Sequence, residues 1–311
     1  MIVSPTEYLD DLRTASGLAD LTVPEFVLPE DHDVILRRMR FHYLDWGTTG
    51  RPAILFLHGG GLTAHTWDLV CLALRQDYHC LALDQRGHGD SEWSPEMNYS
   101  IDAHSEDIEA FVDRMGLDRF AIVGMSMGGN NAIGYCGRHG ARVGAFVLVD
   151  VGPEVRLEGV RRIADFTTAP AEFESVDEVV ERARQFNPLR DPKLLRRSVL
   201  HNLRQLTNGT WTWKYDRRHR GKIDPEERER RRRRLWDEVP KITAPTLVVR
   251  GARSDVFLDE DARKLAEALP RGEWTRVEGA GHTVQGDNPK GLVAELQRFL
   301  ARYLLANSAP R

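Results

Sequence analysis

Five short apolar runs recur along this chain: "AILFLH" at 53–58, "HCLALD" at 79–84, "FAIVG" at 120–124, "AFVLVD" at 145–150 and "PTLVVRG" at 245–251. Runs that stay apolar without alternation suit strands covered on both faces, as in a parallel sheet. Helical periodicity lies between and after them. Residues 101–115 put Ile101, Ile108, Phe111, Val112 and Met115 mostly along one stripe, and residues 289–306 put Leu292, Leu296, Phe299, Leu300, Tyr303 and Leu304 on one face. Asn288 and Pro289 read as the N-cap and first residue of that last helix. Strands alternating with helices argue for a three-layer α/β domain.

The alternation stops after "VLVDVGP" at 147–153 and resumes at "ITAPTLVVRG", 242–251. The intervening stretch is charged, mostly helical in pattern and poor in strand runs, as expected of a helical cap inserted at 154–239. That leaves a core of 26–153 and 240–311, with an N-terminal extension at 1–25 carrying one short helix. Residues 34–46, of mixed polarity, read as antiparallel edge strands. The 311 residues carry a net charge of −4, so no basic field argues for nucleic acid. Cys71, Cys80 and Cys136 form no CxxC pair and fall in strand or helix patterns, which predicts buried free thiols. The N-terminus lacks a basic region followed by an apolar one, and no run of about 18 apolar residues occurs. The expectation is a cytoplasmic protein with no membrane partner.

"GMSMGG" at 124–129 follows one strand run directly and opens a helical pattern. G-x-S-x-G in that context is what a nucleophile on a sharp strand-to-helix turn requires. Small residues two before and two after Ser126 keep the crossing chains apart, Gly129 adds clearance, and the helix N-terminus favours negative charge. A serine hydroxyl needs a base, and the base needs an orienting carboxylate. "GAGHTVQGDNP" at 279–289 supplies His282 in a glycine-flanked loop, and "RGARSDVF" at 250–257 supplies Asp255 just past a strand. The order Ser126, Asp255, His282 is the one described for a Ser-Asp-His triad on such a sheet. Asp150 and Asp84, each ending a strand run, stay open as alternatives for the acid. The glycines of "LFLHGGGLTAHTWD" at 55–68 let backbone N–H groups approach an oxyanion. Gly60 and Met127 are the expected donors, with Gly61 as the second choice for the former.

"LHGGG", "LDQRGHGDS", "GMSMGG", "RGARSD" and "GAGH", in that order, resemble the successive sheet-edge motifs of the α/β-hydrolase superfamily over roughly residues 34–306. The resemblance implies a mostly parallel eight-stranded sheet and a cap over the site. A serine at 126 argues against the branches that use an aspartate nucleophile there, the epoxide hydrolases and haloalkane dehalogenases. Asp84, Arg86, His88 and Asp90 then read as structural. The expected chemistry is acyl transfer to water from a small-molecule carboxylic ester, with no metal or organic cofactor. A lactone, a carbon–carbon bond of the meta-cleavage product type, an amide, cofactor-free perhydrolysis and a ligand receptor on a hydrolase scaffold are the alternatives.

In the cap, Trp211, Trp213 and Tyr215 of "GTWTWKYD" would share one side if extended, lining a substrate pocket or packing the cap onto the core; Phe166, Phe173 and Phe186 could do either. "DPEERERRRRRLW" at 224–236 has Asp224, Pro225 and Glu227 as a helix start, with Glu226–Arg230, Glu227–Arg231 and Glu229–Arg233 at ion-pair spacing. A solvated helix laced by those pairs is the expectation, and one of its arginines reaching an anionic substrate is the alternative. Nothing in the sequence sets the oligomeric state; a homodimer is one open arrangement.

Overall fold

The structure is a computed structural model that describes residues 4–167, 170, 172–188, 190–218 and 224–305. Parts of the expected extension, cap and core (1–3, 168, 169, 171, 189, 219–223 and 306–311) lie outside the described residues.

Eight strands form one sheet: β1 (Glu30–Leu36), β2 (Met39–Asp45), β3 (Ala53–Leu57), β4 (His79–Leu83), β5 (Phe120–Met125), β6 (Val143–Val149), then, after an inserted segment with its small strands β7 (Leu203–Gln205) and β8 (Trp211–Trp213), β9 (Thr246–Gly251) and β10 (Gly272–Val277). The order is β1-β2-β4-β3-β5-β6-β9-β10. β2 runs antiparallel to both β1 and β4; the remaining pairs are parallel. The mostly parallel eight-stranded α/β fold expected from the sequence is therefore the one found.

The apolar runs alternate between two cores. Ile54, Phe56, Ala121 and Val123 face one side with Leu12, Leu72 and Phe299. Leu55, Leu57, Leu81 and Ile122 face the other with Phe111, Ile133 and Leu265. Full burial of each large apolar side chain is worth about 1.5–3 kcal/mol, and both faces must be covered for a strand to gain it twice over. The covering helices are α1 (Pro5–Leu18), α2 (Asp68–Leu74), α3 (Ile101–Arg114) and α4 (Met127–His139), followed beyond the inserted segment by α9 (Asp259–Ala268), the short α10 (Val284–Asp287) and α11 (Pro289–Leu300). Cys71, Cys80 and Cys136 are buried and free.

Between β6 and β9 the chain forms α5 (Leu157–Thr167), α6 (Val176–Phe186), α7 (Pro192–Asn202) and α8 (Pro225–Glu238). The stretch expected to be helical also contains the β7–β8 hairpin. It holds a small core of its own, in which Phe173, Val179, Leu195, Leu203, Trp213 and Tyr215 are buried.

A buried polar cluster ties that segment to the body. The Tyr8 hydroxyl of α1 donates to Asp68 of α2 at 2.7 Å and accepts from His65 at 2.9 Å. Arg197 of α7 hydrogen-bonds the same Asp68 oxygen and pairs with Asp11 of α1 at 2.6 Å. Asp68 is fully buried; burial alone would raise its pKa, but His65 and Arg197 hold it below the usual carboxylate range. Removing the cation strands a buried charge, which costs about 3–5 kcal/mol. Arg197→Met should therefore lower the free energy of unfolding by about that amount in urea titrations. A loss under about 1 kcal/mol, the scale of an exposed pair, would mean that the cluster does not hold the segment down.

Candidate active site

Ser126 sits between β5 and α4 with φ 52° and ψ −117°, a conformation rare for any residue with a Cβ. The neighbours make the turn feasible. A Cβ on Gly124 would lie 2.7 Å from the Gly128 carbonyl oxygen, and one on Gly128 would lie 2.5 Å from the Leu57 carbonyl oxygen. Only glycine fits these two positions, which is the physical content of the G-x-S-x-G pattern.

The loop after β10 brings His282 to this serine. Its Nε2 is 3.1 Å from Ser126 Oγ, and its Nδ1 is 2.8 Å from Oδ2 of Asp150. Asp150 directly follows β6, is 0% exposed, and also has positive φ, 53°. Its carboxylate accepts from the Gly251 N–H at 2.9 Å and the Ser254 hydroxyl at 2.5 Å. A carboxylate fixed by two donors orients an imidazole firmly.

The expectation for Asp255 is thus corrected: the acid bonded to His282 is Asp150. Asp255 pairs instead with Arg162 of α5 at 3.1 Å, and both side chains are well exposed, 40% and 60%. The reason lies in the sheet. β6 and β9 are neighbours with Val149 opposite Val249, so Asp150 leaves the sheet edge one residue past that pair and Asp255 six residues past it. Asp255 has by then run out along its loop toward α5, whose Gly159 is packed against the Asp255 backbone.

The expected oxyanion loop also meets the turn. Gly59 lies against the elbow, where a Cβ would come 2.5 Å from the Met125 sulfur and 3.3 Å from Ser126 Cβ. A turn from the Gly59 carbonyl to the Leu62 N–H, 3.1 Å, carries Gly60 and Gly61 around it. His58 fixes this loop from beneath. Its Nδ1–H donates to the Gly59 carbonyl at 2.8 Å while Nε2 accepts the Gln85 N–H at 3.0 Å, and complete burial lowers its pKa. His58 is therefore neutral, with one tautomer set by its partners.

Comparison with known proteins bears on the fold. The alpha/beta hydrolase fold family matches residues 52–289, well over half of the chain. Esterase Rv0045c of Mycobacterium tuberculosis is 36% identical over 258 residues, 80% of this chain and 83% of that one. A crystal structure of Rv0045c superposes with a TM-score of 0.76 at 35% identity, over 93% of this chain and 96% of that chain. The 3-hydroxybutyrate-oligomer hydrolase of Cupriavidus necator is 28% identical, over 85% of this chain and 93% of that one. The chain belongs to the alpha/beta hydrolase fold family.

In this family member the elbow opens into a cavity of about 540 Å³ lined by Gly60, Gly61, Ser126, Met127, Trp213 and His282 among others. Of the three cap aromatics expected to bind substrate, Trp213 reaches the wall. Trp211 and Tyr215 do not, and that expectation is corrected for both. Trp211 bridges to Phe173, and Tyr215 is buried with its hydroxyl donating to the Thr167 carbonyl at 2.5 Å. The small core of the segment between β6 and β9 takes them, Tyr215 fully and Trp211 in part.

Several supporting residues escape sequence reasoning. Arg190 hydrogen-bonds Asp287 at 2.8 Å and Thr283 Oγ1 at 2.6 Å, and Asp287 accepts the Gly281 N–H at 2.9 Å. The His282 loop is thereby clamped from the segment between β6 and β9. Asn131 donates to Gln85, which donates to the His58 carbonyl. Asp287 stands inside the quoted histidine motif, but no local pattern marks its partner Arg190.

Of the residues after β4 expected to be structural, His88 lines the cavity, while Arg86, Asp90 and Asp84 are held in ion pairs and hydrogen bonds. Arg86 pairs with Asp107, and Asp90 with Lys214. Asp84 accepts from His42 at 2.8 Å, from the Ala64 N–H at 2.6 Å and from the Asp90 N–H at 2.9 Å. His42 also bonds Asp31 at 3.1 Å. Burial disfavours its charge, but the bonds to Asp31 and Asp84 outweigh this and raise its pKa to about 10. A raised folded-state value stabilises the fold in full below the unfolded value of about 6.5. That contribution is lost as pH rises through about 10. The melting temperature should accordingly fall between those limits in the wild type and fall less steeply in His42→Asn. Parallel curves would show that His42 does not carry a proton in the folded protein.

Proposed function

We propose that this chain is a serine hydrolase that cleaves the carboxylic ester of a small, partly apolar substrate through an acyl-enzyme on Ser126. The observation that carries this reading is the hydrogen-bonded chain from Ser126 through His282 to Asp150, set on a strained turn at the wall of a cavity. Ser126 Oγ bonds to the carbonyl carbon while His282 Nε2 takes its proton. Asp150 holds the proton on Nδ1 and stabilises the imidazolium. The oxyanion accepts from the Met127 and Gly60 N–H groups, a kind of donor typically worth about 10²–10³ in rate apiece. His282 passes its proton to the departing alkoxide, then takes one from a water that attacks the acyl carbon, and the acid leaves as Ser126 regains its proton. Residues 154–239 act as the cap that limits which acyl groups enter. The ester assignment draws on the relatives, among them an esterase and a 3-hydroxybutyrate-oligomer hydrolase. Among the described residues no helix is long and apolar enough to cross a membrane, and the proposed substrate is a small molecule in water.

A fluorophosphonate probe tests the nucleophile. It should label the wild-type protein and leave folded Ser126→Ala unlabelled; a folded wild type that resists the probe would refute the reading. Short p-nitrophenyl esters, a lactone and a vinylogous diketone then divide the bond types. Diketone cleavage without ester turnover would replace the ester assignment by a carbon–carbon one.

A further inference from the structure

The charges lining the cavity do not cancel. Asp287 is neutralised by Arg190, and Asp255 by Arg162. Two further arginines line the same cavity, Arg231 and Arg253. Among the described residues neither has a carboxylate within ion-pair distance. Arg253 is exposed to water, whereas Arg231 is only partly so.

Arg231 should not have been left over. Its spacing from Glu227 is the one that pairs charges along a helix. Its neighbours on α8 do pair: Arg230 with Glu226, Arg233 with Glu229, Arg232 with Glu229 and Glu154, and Arg234 with Asp102. Arg231 turns the other way. It lies one turn before Leu235, which is 2% exposed, and so shares the face that α8 lays against the body, where the helix packs on α4. Burial disfavours its charge, and among the described residues Glu227 is the group that opposes this. An arginine held there without an acceptor loses water contacts that a bound anion would restore.

We propose that Arg231 is a specificity-determining residue that receives a carboxylate on the substrate, so that the preferred esters are half-esters of dicarboxylic acids or other esters with an anionic end. The guanidinium fork matches a carboxylate in two-point geometry, and the cavity volume of about 540 Å³ leaves room for a chain of several carbons between the two ends. The proposal rests on the serine-hydrolase reading for its chemistry but not for its binding step.

The test compares monomethyl adipate with methyl hexanoate, which have the same chain length with and without the carboxylate, by following methanol release by NMR. The wild type should favour the half-ester, chiefly through a lower KM. Arg231→Gln should cut the ratio of the two kcat/KM values about 10–100-fold, as expected for a lost hydrogen bond to a charged group, and Arg231→Lys should restore part of it. An unchanged ratio in a variant that melts like the wild type would overturn the proposal. A second arm uses calorimetry of monomethyl adipate with Ser126→Ala and with Ser126→Ala/Arg231→Gln. Binding that depends on Arg231 supports the anion site even if no ester is turned over, in which case only the hydrolase reading fails. Equal binding by both proteins, beside normal fluorophosphonate labelling of the wild type, removes the anion site and leaves the hydrolase reading intact.

Discussion

Asp150→Asn is expected to lower kcat for ester hydrolysis by about 10⁴, while Asp255→Asn changes it by no more than about fivefold. The first loss follows from the tautomer. Asp150 Oδ2 faces Nδ1 of His282 at 2.8 Å, and the other oxygen accepts the Gly251 N–H at 2.9 Å. An asparagine satisfying Gly251 with its carbonyl turns its NH₂ toward Nδ1. That nitrogen must then accept, the ring proton moves to Nε2, and Nε2 can no longer take the Ser126 proton. Asp255 has no such role. Its contact with Arg162 is between exposed groups, worth about 0–1 kcal/mol. Steady-state kinetics on the two variants decide the matter: a crippled Asp255→Asn beside an active Asp150→Asn would reverse the assignment.

Ser126→Ala should cost about 10⁶ in kcat, because no other group at the elbow can form the acyl intermediate. Ser126→Gly should be equally inactive but should differ from it in stability. At φ 52° and ψ −117° a Cβ is strained, and residues held so typically store about 1–3 kcal/mol. Glycine removes that strain, while its looser unfolded chain returns about 0.4–1 kcal/mol. The glycine variant should therefore unfold at higher denaturant than the alanine variant, by roughly 1 kcal/mol. A less stable glycine variant would mean that the backbone at 126 is relaxed and the elbow stores no strain.

The parts of the site legible in the sequence are those written locally. Strands covered on both faces need uninterrupted apolar runs, so β3, β4, β5, β6 and β9 stand out. The elbow needs glycine at 124 and 128 because backbone passes within about 3 Å of where a Cβ would stand at either. His282 needs a pliant loop beyond the last strand. Each requirement acts on residues a few positions apart, and a sequence displays such neighbours directly.

What tertiary structure decided was partner choice among groups far apart in the chain. Two aspartates leave the same edge of adjacent parallel strands, and both are plausible on order alone. The imidazole meets the one that stays at the strand end, because a positive φ at Asp150 turns the chain there and Ser254 and Gly251 hold its carboxylate. Arg162, from a helix inserted between β6 and β9, takes the other. Likewise, spacing pairs Glu227 with Arg231, but the packing of α8 selects which arginine faces inward, and that one reaches the cavity. Periodicity records which residues share a face of one element; which face meets which neighbour is settled only when the layers are packed together.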